Sequence, residues 1–273
     1  MITIKVDKST CKGDGKCVEI CPIKILQMNA ERVPEFIPGG GDICINCGHC
    51  FAFCPVGSIE LSTMNPKDAL RLDYSKLPTP EQVELLLKGR RSIRNYKDEP
   101  VTKELIEKLL DSARYAPSGI NRQPVDWLVI NNKEKVHQLA GLIANWMEEL
   151  LKAKSQMAEA FSFDRLVESW KNGDDKICRS APCIVIAYGV KDDPIVPQSC
   201  TISAEYLELA AFGFGLGACW AGYVQMAINM SDNVRKFVGI SSRATVGAAM
   251  MVGYSKYRYS RIPSRNPAKI IWK

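Results

Sequence analysis

At 273 residues, 46% hydrophobic and 24% charged, the chain holds enough apolar material for one small and one ordinary domain. Its formal charge of +6 comes from 36 basic and 30 acidic side chains without a basic block, which excludes a nucleic-acid footprint. Only two histidines occur, His49 and His137; both read as surface or loop residues, which argues against a Ser–His–Asp or Cys–His nucleophile.

Taken in chain order, the sequence opens charged, from Met1 to Asp7, without a secretory signal. Two cysteine runs follow: Cys11-x5-Cys17-x3-Cys21-Pro22 and Cys44-x2-Cys47-x2-Cys50-x3-Cys54-Pro55. The second has the spacing that wraps a short loop around three corners of a cubane iron–sulfur cluster, and the cysteine before proline in each run ligates the other cluster. One cluster is therefore expected on Cys44, Cys47, Cys50 and Cys21. The other takes Cys11, Cys17 and Cys54 with position 14, where Asp14 stands in place of a soft thiolate. That cluster is either a four-iron cluster with an Asp14 or water ligand or a three-iron cluster. Zinc wants four ligands, often in two separated pairs, and fits a single tight run ending in Cys-Pro less well. Cluster ligands imply a reducing compartment, read here as the cytoplasm, and Cys178, Cys183, Cys200 and Cys219 read as reduced core thiols. Cluster loading also lowers the formal positive charge.

Residues 2–6 and 59–62 are expected to pair as end strands of a module spanning 1–63, and 64–79 read as a linker. A helix begins next, with Thr79 as N-cap, Pro80 in the first position and Gln82 completing a capping box. A second helix is predicted from Thr102 to about Tyr115. Strands are expected at 127–130, 183–188 and 246–252, each buried on both faces, with helical stretches near 134–160 and 199–214. This pattern is α+β over residues 80–273. Residues 209–231 lack charge, but Gly213, Gly215, Gly217 and Gly222 break the run. It reads as a buried helix, a glycine loop and a second short element rather than a membrane span.

Three segments of this second domain stand together. Arg90-Arg91-Ser92-Ile93-Arg94 places three arginines at a helix end, suited to a phosphate and the polar edge of a ring system. Pro117-Ser118-Gly119-Ile120-Asn121-Arg122-Gln123 is a turn presenting hydroxyl and amide side chains. Gly215 to Gly222 allows backbone to approach a flat ligand closely. Gly213-x-Gly215-x-x-Ala218 resembles a dinucleotide fingerprint but follows a helical pattern where the fingerprint needs a strand. Phe161, Phe163 and Trp170 fall in a helical insertion and read as core, with a lid as the alternative.

The cysteine runs resemble those of bacterial two-cluster ferredoxins over residues 1 to about 63. The three later segments, with the closing stretch Arg261-Ile262-Pro263-Ser264-Arg265, resemble the FMN-dependent nitroreductase family over residues 81–273. That likeness implies FMN at the interface of a homodimer. It places Arg90, Arg91, Ser92 and Arg94 at the phosphate, ribityl chain and ring edge, and Arg265 with Arg261 at the phosphate. It brings Pro117, Ser118, Gly119 and Asn121 to the partner protomer's flavin, makes Gln123 a further cofactor contact, and brings the backbone of Ala221 and Gly222 to the ring's reactive edge. Some members carry an acidic residue where Ala221 falls. The reading is an FMN oxidoreductase whose own clusters bring electrons to the flavin for a small flat acceptor such as a nitroaromatic, a quinone or an activated alkene. Reduced ferredoxin or NAD(P)H would be the donor, and neither a membrane nor a nucleic acid a partner. Two alternatives are an NAD(P)H-driven enzyme passing electrons out through the clusters, and a non-enzymatic redox or iron sensor or carrier.

Overall fold

Short elements dominate the start of the chain. In the computed structural model, which describes all of residues 1–273, these are β1 (Ile4–Val6), α1 (Lys16–Glu19), β2 (Leu26–Met28), β3 (Pro34–Phe36), α2 (Gly40–Ile43), α3 (His49–Phe53) and β4 (Ile59–Leu61). β1 and β4 pair antiparallel, with Ile4 opposite Leu61 and Val6 opposite Ile59, as the sequence suggests. β2 and β3 form a second antiparallel pair. The chain enters α3 through Gly48, whose φ of +69° suits glycine and whose Cβ, if present, would lie 2.9 Å from the Met64 sulfur. The apolar core here is Cys21, Ile25 and Leu26, with Ile4, Val18, Ile23, Phe36 and Ile37 packed on it. So small a core leaves the cysteine side chains as part of the wall. This compact unit comprises Met1–Leu77 and Ile120–Arg122.

The second unit, Pro78–Gly119 with Gln123–Lys273, is built around one sheet. Its elements are α4 (Pro80–Gly89), α5 (Lys103–Ala113), β5 (Asp126–Ile130), α6 (Lys133–Lys152), α7 (Gln156–Ala160), α8 (Phe163–Lys171), β6 (Cys183–Val190), α9 (Val196–Gly213), β7 (Gly217–Trp220), α10 (Gly222–Met230), α11 (Asp232–Val238) and β8 (Ala244–Gly253). The strand order is β5-β6-β8-β7, antiparallel throughout. Side chains of β6 and β8 alternate between two cores. Ile184, Ile186, Ala249 and Met251 join Leu139, Ile143 and Ile228 on one face. Cys183, Val185, Ala187, Ala248, Met250 and Val252 join Leu109, Cys200 and Leu207 on the other. Helices on both faces thus make the two central strands continuous apolar runs.

The start of α4 follows local chemistry. The Thr79 hydroxyl accepts from the Gln82 amide at 3.3 Å, and the Gln82 side chain accepts from the Thr79 amide at 2.9 Å. Two segments depart from the sequence reading. The helical stretch expected over 134–160 is broken at Lys154, which has a φ of +52°, and α7 begins again at Gln156. The glycine loop expected after α9 contains strand β7 instead, because Gly217–Trp220 pairs residue by residue with Met250–Gly253 at the sheet edge. The uncharged stretch 209–231 is the end of α9, β7 and α10, and no helix is long and apolar enough to cross a membrane. Phe163 is fully buried and Trp170 packs against the same core, whereas Phe161 is exposed.

α9 crosses β8 closely at Gly247, where an added Cβ would lie 2.4 Å from the Cys200 Cβ. Gly247→Ala is expected to cost about 1–3 kcal/mol through this overlap. Thr79→Ala should cost about 1 kcal/mol through loss of the cap. Denaturant midpoints measured with the slope unchanged check both.

Candidate functional site

In the first unit, the cysteines line two separate cavities. One is bordered by Cys21, Cys44, Cys47 and Cys50. Its remaining wall is mostly apolar, including Ile23, Ile25, Leu26, Phe36 and Leu61, with His49 also bordering it. The other is bordered by Cys11, Asp14, Cys17 and Cys54, together with Lys12, Phe53, Ser58 and Ile59. Each cavity therefore takes the cysteine before proline from the opposite run, the partition that the Cys-Pro spacing predicts.

The local chain explains how the donors converge. Cys44 ends α2, Asn46 has a φ of +51°, Gly48 caps α3, and Cys50 sits in the first turn of α3. Burial pushes the Cys50 thiol up to about 11, and charge on Cys21, Cys47 and Cys44 acts in the same direction. Burial raises Cys17 as well, reinforced by Cys11 and Asp14. Such groups give up protons reluctantly unless a metal takes the charge. Cys54 differs: burial pushes it up, but hydrogen bonds from the Ser58 hydroxyl and from backbone amides outweigh burial and hold it below the usual thiol value. Asp14 accepts from the Lys16 amide at 3.3 Å and lies 3.8 Å from the Lys16 ammonium. Nowhere do three or more His, Cys, Asp or Glu side chains converge on a point fit for a single metal ion. Donors spread around a cavity, most of them soft thiols, fit iron–sulfur clusters better than zinc.

Asn121 is committed to this unit as well. Its side-chain amide donates to the carbonyls of Ile45 at 3.3 Å and Asn46 at 2.8 Å, within the Cys44–Cys47 loop. Ile120, Asn121 and Gln123 all have φ near +50°, at +46°, +56° and +48°. For the β-branched Ile120 this is a strained conformation.

The second unit holds a cavity of about 530 Å³ lined by Gly89, Arg90, Arg91, Ile93, Glu208, Gly215, Leu216, Gly217, Ala218, Tyr257 and Arg261, among others. Arg90 caps the C-terminal end of α4, and its guanidinium donates to Glu208 at 2.7 Å. The Trp220 indole N–H donates to the other Glu208 oxygen at 3.2 Å. The Glu208 side chain is 2% exposed and that of Arg90 26%. Burial raises the Glu208 carboxyl; Arg90 and the two hydrogen bonds oppose this, and burial prevails. Arg91 donates to the carbonyls of Arg90 and Lys88. Neither Arg91 nor Arg261 enters an ion pair in this unit. A cavity of this size, edged by unpaired guanidiniums and approached by glycine backbone, suits a ligand with a phosphate and a flat ring.

None of the other candidates lines this cavity. The Ile93 amide donates to Ala218 at 2.9 Å, which stitches the arginine segment to β7. Arg94 is exposed and donates weakly to the Ser92 carbonyl at 3.5 Å. Ser92 lies beside the Cys219 thiol. The Ser118 hydroxyl accepts from the Gln123 amide at 2.8 Å, closing the Pro117–Gln123 turn, and Gly119 packs on Ile195. Ala221 spends its amide on the Ala249 carbonyl, while Gly222 opens α10 with free space where a side chain would stand. Arg265 is exposed and contacts only the Ser264 carbonyl. Gly213 to Ala218 runs from helix to strand, the reverse of a dinucleotide fingerprint. His49 opens α3 and is exposed; His137 is exposed and its ring lies tilted against Trp170, 4.8 Å between centroids. The sequence reading missed Glu208, Trp220 and Ser58. Glu208 could have been found: it is a lone carboxylate on the stripe Ala204, Leu207 and Ala211.

Comparison with known proteins bears on both units. Residues 87–254 match the nitroreductase family, and residues 3–55 match the 4Fe-4S dicluster domain. A putative NADH dehydrogenase/NAD(P)H nitroreductase of Methanothermobacter thermautotrophicus is 25% identical over 181 residues, covering 66% of this chain and 77% of its own. One of the same description from Archaeoglobus fulgidus is 29% identical over 175 residues, covering 61% and 82%. The crystal structure of a nitroreductase with bound FMN from Bacteroides fragilis shares the fold, with a TM-score of 0.58 at 19% identity over 70% of this chain and 99% of that one. The chain belongs to the nitroreductase family of oxidoreductases and carries a 4Fe-4S dicluster ferredoxin domain N-terminal to the family domain.

Proposed function

We propose that the chain is an FMN-dependent oxidoreductase in which its own iron–sulfur clusters supply electrons for reduction of a small flat acceptor. The observation that carries the reading is the 530 Å³ cavity of the second unit, where Arg90, Arg91 and Arg261 meet the glycine-rich approach to β7. The Bacteroides fragilis relative was crystallised with FMN, and the fold is shared.

When bound, FMN would join the one-electron supply of the clusters to two-electron reduction of an acceptor. Arg90, Arg91 and Arg261 would hold its phosphate by charge-assisted hydrogen bonds. Glu208 fixes the Arg90 guanidinium by accepting at one edge, which leaves the other N–H groups free to donate. The same carboxylate holds the Trp220 indole, and so steadies the chain just before Ala221 and Gly222. Leu85, Ile93, Phe212 and Leu216 form the apolar part of the wall. In the first unit, Cys21, Cys44, Cys47 and Cys50 would hold one cluster, and Cys11, Cys17 and Cys54 with Asp14 the other. A homodimer follows from the family resemblance, with Pro117, Ser118 and Gly119 offered to the partner's flavin. Asn121 is the exception, since its amide is spent on the Cys44–Cys47 loop. A second reading, direct reduction by NAD(P)H with the clusters as an exit, draws on the descriptions of the two archaeal relatives.

Cys47→Ser removes a donor from the first cavity and touches nothing in the second unit's cavity. It is expected to abolish turnover driven by reduced ferredoxin while FMN content stays at the wild-type level. Turnover at the native rate would overturn the wiring. Arg90→Ala should weaken FMN binding by about tenfold or more, through loss of a charged hydrogen bond, while riboflavin, which lacks the phosphate, binds as before. Fluorescence titration with both flavins separates these outcomes.

A further inference from the structure

The two cysteine runs end alike but differ at one buried position. Cys21-Pro22-Ile23-Lys24-Ile25 closes the first and Cys54-Pro55-Val56-Gly57-Ser58 the second. The fourth residue after the cysteine is Ile25 in one and Ser58 in the other, at 2% and 4% exposure. Ile25 lines the cavity of Cys21, Cys44, Cys47 and Cys50; Ser58 lines the cavity of Cys11, Asp14, Cys17 and Cys54. The Ser58 hydroxyl lies 3.1 Å from the Cys54 sulfur, and the Ser58 amide donates to the same sulfur at 3.4 Å. A ligating thiolate carries no proton, so the hydroxyl must be the donor. Ile25 has no side-chain donor to offer Cys21.

A cluster that gains an electron becomes more negative at its sulfurs. A hydrogen bond donated to a ligand sulfur strengthens on reduction and raises the potential, whereas a dry apolar wall lowers it. We propose that Ser58 is a tuning residue whose hydroxyl raises the reduction potential of the cluster held by Cys54 and so makes the two clusters inequivalent. The proposal rests on both cavities holding clusters.

The test is a redox titration of the full, cluster-loaded chain followed by electron paramagnetic resonance. Ser58→Ala deletes the hydroxyl and keeps the backbone donor. It should lower the reduced-to-oxidised ratio of one cluster about tenfold at a fixed potential, a shift of about 59 mV to more negative values. The other cluster should not move. Ser58→Thr, which keeps the hydroxyl, should restore the wild-type value, and Asp14→Cys, in the same cavity, should alter the same signal. If Ser58→Ala leaves both potentials unchanged, moves both equally, or strips iron from the protein, the proposal fails. Wild-type protein without cluster signals would overturn the cluster reading instead.

Discussion

Thiolates crowded around one apolar cavity repel each other and lose hydration, and the cysteine-rich unit is organised around that cost. Its buried core is three residues with a ring of half-buried neighbours. Such a core does not pay the ordering entropy of a loop-rich chain. The structure compensates with backbone: antiparallel pairs close its ends, and each short helix starts from a left-handed glycine that turns the chain inward. The rest is expected from the metal, which takes up the charge of groups such as Cys50 that burial alone would keep protonated.

The second unit solves the opposite problem. It has a large two-faced core and must bury functional charge within it. Glu208 lies on an otherwise apolar stripe of α9 and is satisfied on both oxygens, by Arg90 and by Trp220. One carboxylate thereby couples the end of α4 to the end of β7. These are the segments that the family resemblance assigns to the two ends of the cofactor. A buried carboxylate so placed neutralises an arginine at the cavity edge and fixes its direction, a balance between affinity and geometry that a solvated lysine would not give.

Much of this was legible in the chain because the chemistry is local. The capping box at Thr79 needs only residues 79–82, and each formed as expected. The partition of the cysteines follows from spacing and the Cys-Pro endings, and the two cavities respect it. What escaped depends on distant partners. Glu208 meets an arginine 118 positions away, and Asn121 meets a loop 75 positions away. β7 looked like a glycine loop because its strand character comes from pairing with β8 and from the close approach of Ile93 to Gly217. Ser58 passed unnoticed because a serine after a turn is ordinarily unremarkable, and only its burial beside Cys54 gives it meaning.

In the proposed reading the cluster module is the entrance for electrons. An anaerobic visible spectrum of the flavin- and cluster-loaded protein tests it most directly, recorded after NADH, then NADPH, then reduced ferredoxin. The flavin band should persist with both nicotinamides and bleach with reduced ferredoxin. Rapid bleaching by either nicotinamide would contradict it and make the clusters an exit.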